Sequence, residues 1–359
     1  MTDSPREACP YLIRISPAFA DVPAELLEAL DCIPVKRLGR EFFLVKSARP
    51  ESLETEPAAA FSGWRMPVDH SWPCVPQETP GFVEKAAQAM ARKFGTSGVQ
   101  SVVVGTLDPS EPGRYHGLLA SNLRGRALQV FGDGLVRDAE AQNPESPTLF
   151  ALVGREGLFC GVIRPREAGG FHAGGFKFIR QNQDDHVSRA GAKIAEALHF
   201  LTLHQPVPGT GAHWLELGAS PGGMTTELLA RGYQVTAVDR APLDERLRGA
   251  KGLRVVAGDA GEFRPPAGTR YDALLSDLNG DPVESMNSVI RLAGFLQPGG
   301  LVVFTLKLPQ SGDFPAMLRA LDQCTSLARE AGWERIAATH LGYNRHELTL
   351  FFRHPEASR

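Results

Sequence analysis

The sequence has few cysteines, and none of them is placed to bind zinc. The five cysteines lie far apart, without a CxxC pair and without a histidine at ligand spacing: Cys9, Cys32, Cys74, Cys160 and Cys324. A disulfide framework or a structural zinc site needs cysteines at short, regular spacings. The sequence therefore predicts a protein of a reducing compartment that binds no metal.

Long apolar runs are missing as well. The chain has no apolar run of the ~18 residues that a membrane span needs. Its N-terminus, MTDSPREACPYLIRIS, lacks the basic-then-apolar pattern of a secretory signal. These absences predict a cytoplasmic protein with no membrane partner. The formal net charge of −3 gives no global sign of nucleic-acid binding, so any basic surface has to be local.

The chain of 359 residues is long enough for two or three domains. Residues 1–75 predict a small α+β domain, with strands in YLIRIS, IPVKRLG and EFFLVKSA around a helix at Ala24–Leu30. The proline-rich stretch Gly63–Pro80 is typical of a linker. A second domain is predicted over residues 80–175. It has a helix at Phe82–Lys93, strands in VQSVVVGTL and ALQVFGD, and a hairpin in TLFALVGREGLFCGVIRP.

Strands alternate with helices in the last part of the chain, residues 180–359. An amphipathic helix in HVSRAGAKIAEALHFL precedes strands in HWLELG, QVTAVD, LRVVAGD, YDALLSD and LVVFTL. This alternation predicts an α/β domain with a Rossmann-like, doubly wound and mostly parallel sheet. Two final strands, ERIAATHL and ELTLFF, are expected to form a hairpin at one edge.

The loop after the first of these strands indicates a cofactor. It reads ELGASPGG over Glu216–Gly223, and its glycines do not fit the GxGxxG pattern of a dinucleotide site. Ser220-Pro221 stands where a pyrophosphate would approach the backbone, and proline has no N–H to donate. An acidic residue before the first glycine suits a cation or an ammonium group. The loop predicts S-adenosyl-L-methionine (SAM), while a nicotinamide site and a sheet without ligand stay as alternatives.

Four acidic residues at the ends of consecutive strands support the same prediction: Glu216, Asp239, Asp259 and Asp277. A carboxylate at the end of the second strand can accept hydrogen bonds from both ribose hydroxyls. Asp259 suits the adenine amino group. A single acid at such a position commonly caps a helix, but four in a row favour a ligand site.

Lys307 ends a strand that is otherwise apolar, at the sheet edge where ligands bind in open α/β folds. Lys193, Asp277 and Glu347 could converge with it. Methylation of a ribose 2′-hydroxyl needs a base, and a lysine becomes one only when its pKa falls below ~10.4. We expect burial and the second ammonium to lower the pKa of Lys307. The alternative is two surface lysines and an edge-strand glutamate that prevents aggregation.

A local basic region lies between Cys160 and Lys193. It has six basic and three acidic residues, and Phe171, Phe176 and Phe178 lie among them. Such a mixture is typical of a surface that stacks bases and contacts phosphates. The predicted RNA-binding residues are Arg164, Arg166, Lys177, Arg180 and Arg189. The alternative is a solvated linker whose aromatic side chains pack into the core.

Five motifs in order resemble the FtsJ-type ribose 2′-O-methyltransferases over about residues 186–353: SRAGAK, ELGASPGGMT, SDLNG, FTLKLP and HELTLFF. The resemblance implies a Lys-Asp-Lys-Glu tetrad of Lys193, Asp277, Lys307 and Glu347, with Lys307 as the base. It also implies that SAM is bound by Ser188, Glu216, Gly218, Ala219, Ser220, Pro221, Gly222, Gly223, Met224, Asp239, Asp259 and Asp277.

The stretch GLFCGVIRPREAGGFHAGGFKFIRQ resembles the junction in the 23S rRNA 2′-O-ribose methyltransferase M group. That resemblance implies a THUMP-like RNA-binding region ahead of the methyltransferase domain. It implies methylation of a cytidine in the peptidyl-transferase region of bacterial 23S rRNA or a large-subunit precursor. We expect the protein to be a monomer. The alternatives are a SAM enzyme acting on another RNA, a small molecule or a protein, and a non-catalytic RNA-binding assembly factor.

Overall fold

A computed structural model describes residues 8–74, 79–108, 115–179, 187–309 and 312–356. The chain divides into two compact units, Met1–Lys177 and Phe178–Arg359. Among the described residues, no helix has both the length and the apolar character needed to cross a membrane.

The first unit begins with an antiparallel sheet in the order β2-β3-β1-β4. Its elements are β1 (Cys9–Ile15), α1 (Pro23–Ala29), β2 (Cys32–Leu38), β3 (Phe42–Ser47), α2 (Ser52–Thr55) and β4 (Ser62–Pro67). The predicted linker is wrong from its start to residue 72, because β4 and a further strand occupy it. Trp64 and Met66 alternate with more exposed neighbours and are fully buried, so they hold β4 in the sheet despite the prolines that follow.

A second, mixed sheet in the same unit has the order β5-β8-β7-β6. Its elements are β5 (His70–Trp72), α3 (Thr79–Phe94), β6 (Ser101–Thr106), α4 (Tyr115–Val130), β7 (Thr148–Gly154), β8 (Gly157–Ile163) and α5 (Pro165–Ala168). The predicted hairpin is confirmed as β7 and β8. The strand predicted in ALQVFGD is wrong, because Leu119, Leu123 and Ala127 recur at helical spacing and bury one face of α4.

The two sheets of the first unit share a hydrophobic core. Phe42 and Trp64 of one sheet join Phe150 and Leu152 of the other in a single buried cluster. The Trp64 ring meets the rings of Phe42 and Phe150 edge to face, at centroid distances of 6.3 and 5.7 Å. Strand β5 lies within the predicted domain of residues 1–75 but pairs with β8 of the predicted domain of residues 80–175, so the two sheets do not separate at the predicted boundary.

The second unit is an α/β domain around a seven-stranded mixed sheet, in the order β11-β10-β9-β12-β13-β15-β14. Its elements are α6 (Ala190–Leu201), β9 (His213–Leu217), α7 (Gly223–Ala230), β10 (Gln234–Asp239), β11 (Leu253–Ala257), β12 (Tyr271–Ser276), α8 (Pro282–Ala293), β13 (Leu296–Lys307), α9 (Phe314–Glu330), β14 (Glu334–Thr339) and β15 (Glu347–Arg353). Strands β9 to β13 are parallel, and β15 is antiparallel to both of its neighbours.

The strand order reverses at β9, which lies between β10 and β12. Ligands of open α/β sheets bind outside the carboxyl ends of the strands at such a reversal. On one face of the sheet, Trp214, Leu275 and Val303 are buried with Ile194 and Leu198 of α6. This packing holds α6 against the sheet and so fixes the side chains that α6 presents to the strand ends.

Candidate functional site

Four charged side chains meet at the carboxyl ends of β12 and β13. Lys193 comes from α6, Asp277 follows β12, Lys307 ends β13 and Glu347 begins β15. The Lys193 Nζ lies 2.6 Å from Glu347 Oε1 and 3.2 Å from Asp277 Oδ2. The Lys307 Nζ lies 2.7 Å from Asp277 Oδ1 and 2.6 Å from Glu347 Oε2. The four groups form a closed ring in which positive and negative charges alternate; we call it the tetrad.

The register of the sheet explains part of this geometry. Lys307 and Glu347 are directly paired across the antiparallel strands β13 and β15. Directly opposite side chains on one face of a sheet lie about 5 Å apart at their Cβ atoms, within reach of an ion pair. The tetrad is half-buried: the side chain of Glu347 is 7% exposed and that of Lys307 is 25% exposed.

The direction of the Lys307 pKa shift differs from the prediction. Burial does act to lower its pKa, but the carboxylates of Asp277 and Glu347 outweigh burial, and the pKa of Lys307 is raised above its usual value. Burial likewise acts to raise the pKa of Glu347, but Lys193 and Lys307 together hold that pKa below its usual value. The expected lowering of the Lys307 pKa is therefore wrong, because both carboxylates are in contact with the amine.

A cavity of about 380 Å³ lies in front of β9, β10 and β12; we call it the strand-end cavity. Ligand sites typically measure about 300–1,000 Å³. Five of the predicted cofactor residues line it: Gly218, Ser220, Asp239, Asp259 and Asp277. Sequence reasoning missed further lining residues, among them Asn279, Glu284, Ser285 and Ser288. Asn279 lies within the SDLNG motif and could have been predicted from it. Glu284, Ser285 and Ser288 belong to no motif that is visible in the sequence.

The acids of the strand-end cavity also shape its loops. Asp239 accepts hydrogen bonds from the backbone N–H groups of Ser220 and Ala241, both at 2.8 Å. Asp259 accepts from the Gly261 N–H at 2.6 Å and forms an ion pair with Arg240. Each carboxylate oxygen has two lone pairs, so these bonds leave capacity for a ligand's hydroxyl or amino donors.

Other predicted cofactor residues do not line the strand-end cavity. Ala219, Gly222, Gly223 and Met224 are buried, and Met224 belongs to the hydrophobic core of the domain. Pro221 is exposed. Ser188 lines a different cavity and lies against Gly223, where a Cβ atom would strike its side chain. These residues shape the loop and its contact with α6.

Glu216 is buried beneath the loop, where it is 2% exposed and accepts a hydrogen bond from Thr225 Oγ1 at 2.7 Å. Burial raises the pKa of Glu216 to about 8. It does not line the strand-end cavity, and its carboxylate lies inside the fold against Thr225.

Replacing Glu216 with glutamine is expected to stabilise the protein near neutral pH. An unfolded glutamate ionises near pH 4.5, whereas Glu216 keeps its proton up to about pH 8 in the folded chain. Wild-type stability therefore falls as pH rises through this window. Glu216→Gln removes that loss, which we expect to be about 3 kcal/mol at pH ~7. Urea unfolding at several pH values measures it, with exposed Glu245→Gln as control. A difference that does not grow with pH would contradict the prediction.

Gly218 of the loop lies close to the backbone that follows β12. Its φ is +77°, and a Cβ atom there would lie 2.7 Å from the backbone oxygen of Asp277. Alanine would add backbone strain of ~1–3 kcal/mol and push on the strand end that carries Asp277. We expect Gly218→Ala to lower SAM affinity by about tenfold or more.

Isothermal titration of SAM into the purified variant tests this expectation. Gly209→Ala is the matched control, because Gly209 has no atom within 4 Å of a Cβ position and no positive φ. Equal SAM affinities for the two variants would show that the close approach of Gly218 to Asp277 is not needed for SAM binding.

A second cavity, of about 1040 Å³, opens on the other side of the tetrad; we call it the tetrad cavity. Lys193, Lys307 and Glu347 line it, together with Tyr343 and Arg345 of the loop between β14 and β15. Asp277 lines the strand-end cavity and contacts both lysines. The tetrad therefore stands between the two cavities.

The predicted RNA-binding residues are distributed unevenly. In the first unit, three of them pair with glutamates: Arg164 with Glu167, Arg166 with Glu145 and Lys177 with Glu140, at 3.1, 2.8 and 2.7 Å. These pairs reduce the local positive charge on which the prediction rested. Arg180 lies outside the described residues. Arg189 is exposed and lines the tetrad cavity.

The three phenylalanines of this region also differ from one another. Phe171 is buried, with 4% exposure. Phe176 lies under the guanidinium of Arg14, 3.3 Å from its ring centroid. Phe178 is 82% exposed and lines the tetrad cavity. The prediction of a shared stacking surface therefore suits Phe178 alone.

The chain is similar in sequence to known methyltransferases. Residues 186–326 match the family described as FtsJ-like methyltransferase. The chain is 29% identical to the ribosomal RNA large subunit methyltransferase M of Alkalilimnicola ehrlichii, over 98% of this chain and 96% of that protein. It is 33% identical to the same-named protein of Halorhodospira halophila, over 58% of this chain and 56% of that one.

Among solved structures, the Aeropyrum pernix fibrillarin with bound SAM is 16% identical, with a TM-score of 0.37 over 59% of this chain and 84% of that one. The resemblance drawn from the sequence is confirmed by the family match and by the near full-length similarity to ribosomal RNA large subunit methyltransferase M. The match to the FtsJ-like methyltransferase family covers residues 186–326 of this chain.

Proposed function

We propose that this protein uses SAM to methylate the 2′-oxygen of a ribose in bacterial 23S rRNA. The observation that carries the proposal is the tetrad, which stands between one cavity of cofactor size and a second, larger cavity. The relatives named ribosomal RNA large subunit methyltransferase M support rRNA as the substrate.

The chemistry of the strand-end cavity fits SAM. Asp239 would accept hydrogen bonds from the ribose hydroxyls and Asp259 would accept from the adenine amino group, while the glycine at 218 lets the loop lie against the backbone of Asp277. When bound, SAM supplies a methyl group on a cationic sulfur. The carboxylate of Asp277 faces the same cavity and favours a positive ligand there.

Each residue of the tetrad has a role in the proposed reaction. Lys307 is the base that takes the proton of the 2′-hydroxyl, and Asp277 and Glu347 hold its Nζ from two sides. These carboxylates raise the pKa of Lys307, so its amine acts as the base only in molecules where it has lost its proton. Lys193 contacts both carboxylates and keeps the ring near neutrality as the proton moves.

The finer assignments follow the resemblance. We propose that the first unit is a THUMP-like RNA-binding region, that the target is a cytidine of the peptidyl-transferase region, and that the protein acts in the cytoplasm. We also propose that it acts as a monomer.

Transfer of radiolabelled methyl from SAM tests the proposal. Protein-free 23S rRNA and isolated large-subunit precursor particles are two separate substrates, and nuclease digestion locates the label. Label on a 2′-oxygen in either substrate is the expected result. Label on a base, or only on small molecules or protein, would overturn it. SAM binding without transfer to any substrate would favour a non-catalytic assembly factor.

A further inference from the structure

Phe178 is an exposed aromatic side chain at the tetrad cavity. It is 82% exposed, more than any other large apolar side chain among the described residues. It lies on the lining of the same cavity as Lys193 and Lys307. A single exposed apolar side chain is ordinary, but this one borders the groups that are proposed to perform the reaction.

The backbone beside Phe178 is fixed to that cavity. The N–H of Ile179 donates to Tyr343 Oη at 3.1 Å. The N–H groups of Gly342 and Tyr343 donate to the buried carboxylate of Glu196, at 2.8 and 2.9 Å. Glu196 lies one helical turn from Lys193 on α6. The exposed ring therefore starts from a backbone that is tied, through Tyr343, to the helix that carries a tetrad lysine.

Positive charge surrounds the opening of the cavity. Arg189 and Arg345 are exposed and line it, while Lys193 and Lys307 lie deeper. Single-stranded nucleic acids are bound by aromatic rings on which bases stack, combined with basic side chains that follow the backbone. The volume of about 1040 Å³ is at the upper end for ligand cavities, which leaves room for a nucleotide.

We propose that Phe178 is the stacking platform for an unpaired base of the RNA, next to the ribose that enters the tetrad cavity. Arg189 and Arg345 contact the flanking phosphates. A base inside a duplex has both faces covered, so the site selects a single-stranded nucleotide or one that has left its helix. This inference rests on the proposed function and names the form of RNA that the site accepts.

Fluorescence anisotropy of a labelled, mixed-sequence single-stranded oligoribonucleotide tests the platform in the full-length protein. Loss of a base–aromatic contact is expected to weaken binding by about fivefold to a hundredfold in Phe178→Ala. Phe178→Tyr keeps the ring and is expected to retain affinity. Phe178→Leu keeps an apolar side chain without a ring, and its affinity for the oligoribonucleotide is expected to be as low as that of Phe178→Ala. The same strand annealed to its complement is expected to bind equally weakly to all four proteins.

The dependence on salt separates the platform from the arginines. Each phosphate contact of a single strand contributes about −0.7 to the slope of log affinity against log salt. Arg189→Ala and Arg345→Ala are expected to reduce this slope, while Phe178→Ala lowers affinity and leaves the slope unchanged. Affinity of Phe178→Leu equal to wild type, or a duplex bound as well as the single strand, would overturn the platform.

Methyl transfer by the same proteins keeps the two proposals apart. If wild type methylates rRNA and Phe178→Ala does so with unchanged KM and kcat, the platform is wrong and the function stands. If wild type binds the single strand through Phe178 but methylates no ribose, the proposed function is wrong. If wild type neither binds nor methylates RNA, both are wrong.

Discussion

Replacing Lys307 with alanine is expected to abolish most methyl transfer while leaving the cofactor site intact. Loss of a positioned general base typically costs about 10²–10⁴-fold in rate. Lys307 does not line the strand-end cavity, so SAM affinity is expected to change by less than about threefold, which corresponds to less than 0.7 kcal/mol. The measurement is single-turnover transfer of labelled methyl to 23S rRNA, with SAM binding measured in parallel.

Two further variants make this result interpretable. Lys307→Met keeps the apolar stem without the amine, and it is expected to be as inactive as Lys307→Ala. Lys251→Ala removes an exposed lysine from the loop between β10 and β11 and is expected to behave as wild type. A rate for Lys307→Met within tenfold of wild type would exclude Lys307 as the base.

The pH dependence of the reaction is the second large expected effect. A base works in its neutral form, and the carboxylates of Asp277 and Glu347 raise the pKa of Lys307. The value of kcat/KM is therefore expected to rise about tenfold per pH unit through the neutral range, until Lys307 has lost its proton. Between about pH 6 and pH 8 the rise amounts to about a hundredfold.

Glu347→Gln tests the cause of that rise. A carboxylate beside an ammonium favours the protonated form, so its removal lowers the pKa of Lys307 and moves the rising limb to lower pH. The maximal rate is expected to fall as well, because the glutamine no longer pairs with Lys193. Exposed Glu330→Gln is the control and should leave the limb unmoved. If the rising limb of kcat/KM against pH lies at the same or a higher pH in Glu347→Gln than in wild type, a different group controls the rate.

The βα series of the second unit was predictable because its strands are short apolar runs that end in charged residues. Lys307, Asp277 and Asp239 each follow such a run, and parallel strands bring their carboxyl ends to one edge. That rule was enough to predict that these side chains gather there. It could not predict the insertion of β15 between β13 and β14, because strand order depends on contacts between residues far apart in the chain.

Predictions from local sequence patterns were wrong where contacts between distant residues determine the structure. Val130 and Phe131 favour a strand by composition, yet Val130 ends α4, whose buried face fixes its period. The basic residues Arg166 and Lys177 were expected to face RNA, but Glu145 and Glu140, more than 20 residues away, pair with them. The pKa of Lys307 is a similar case, because it depends on how closely the carboxylates of Asp277 and Glu347, from distant parts of the chain, approach the amine.

The position of β15 also has a consequence for the order in which the site is completed during synthesis. The residues that line the strand-end cavity span 218–288, so the ribosome makes all of them before Lys307 and Glu347. Strand β14 is made before β15 but has β15 as its only partner among the described strands. A growing chain can therefore form its cofactor cavity first, and it gains a complete tetrad only when residues 347–353 insert between two strands already made.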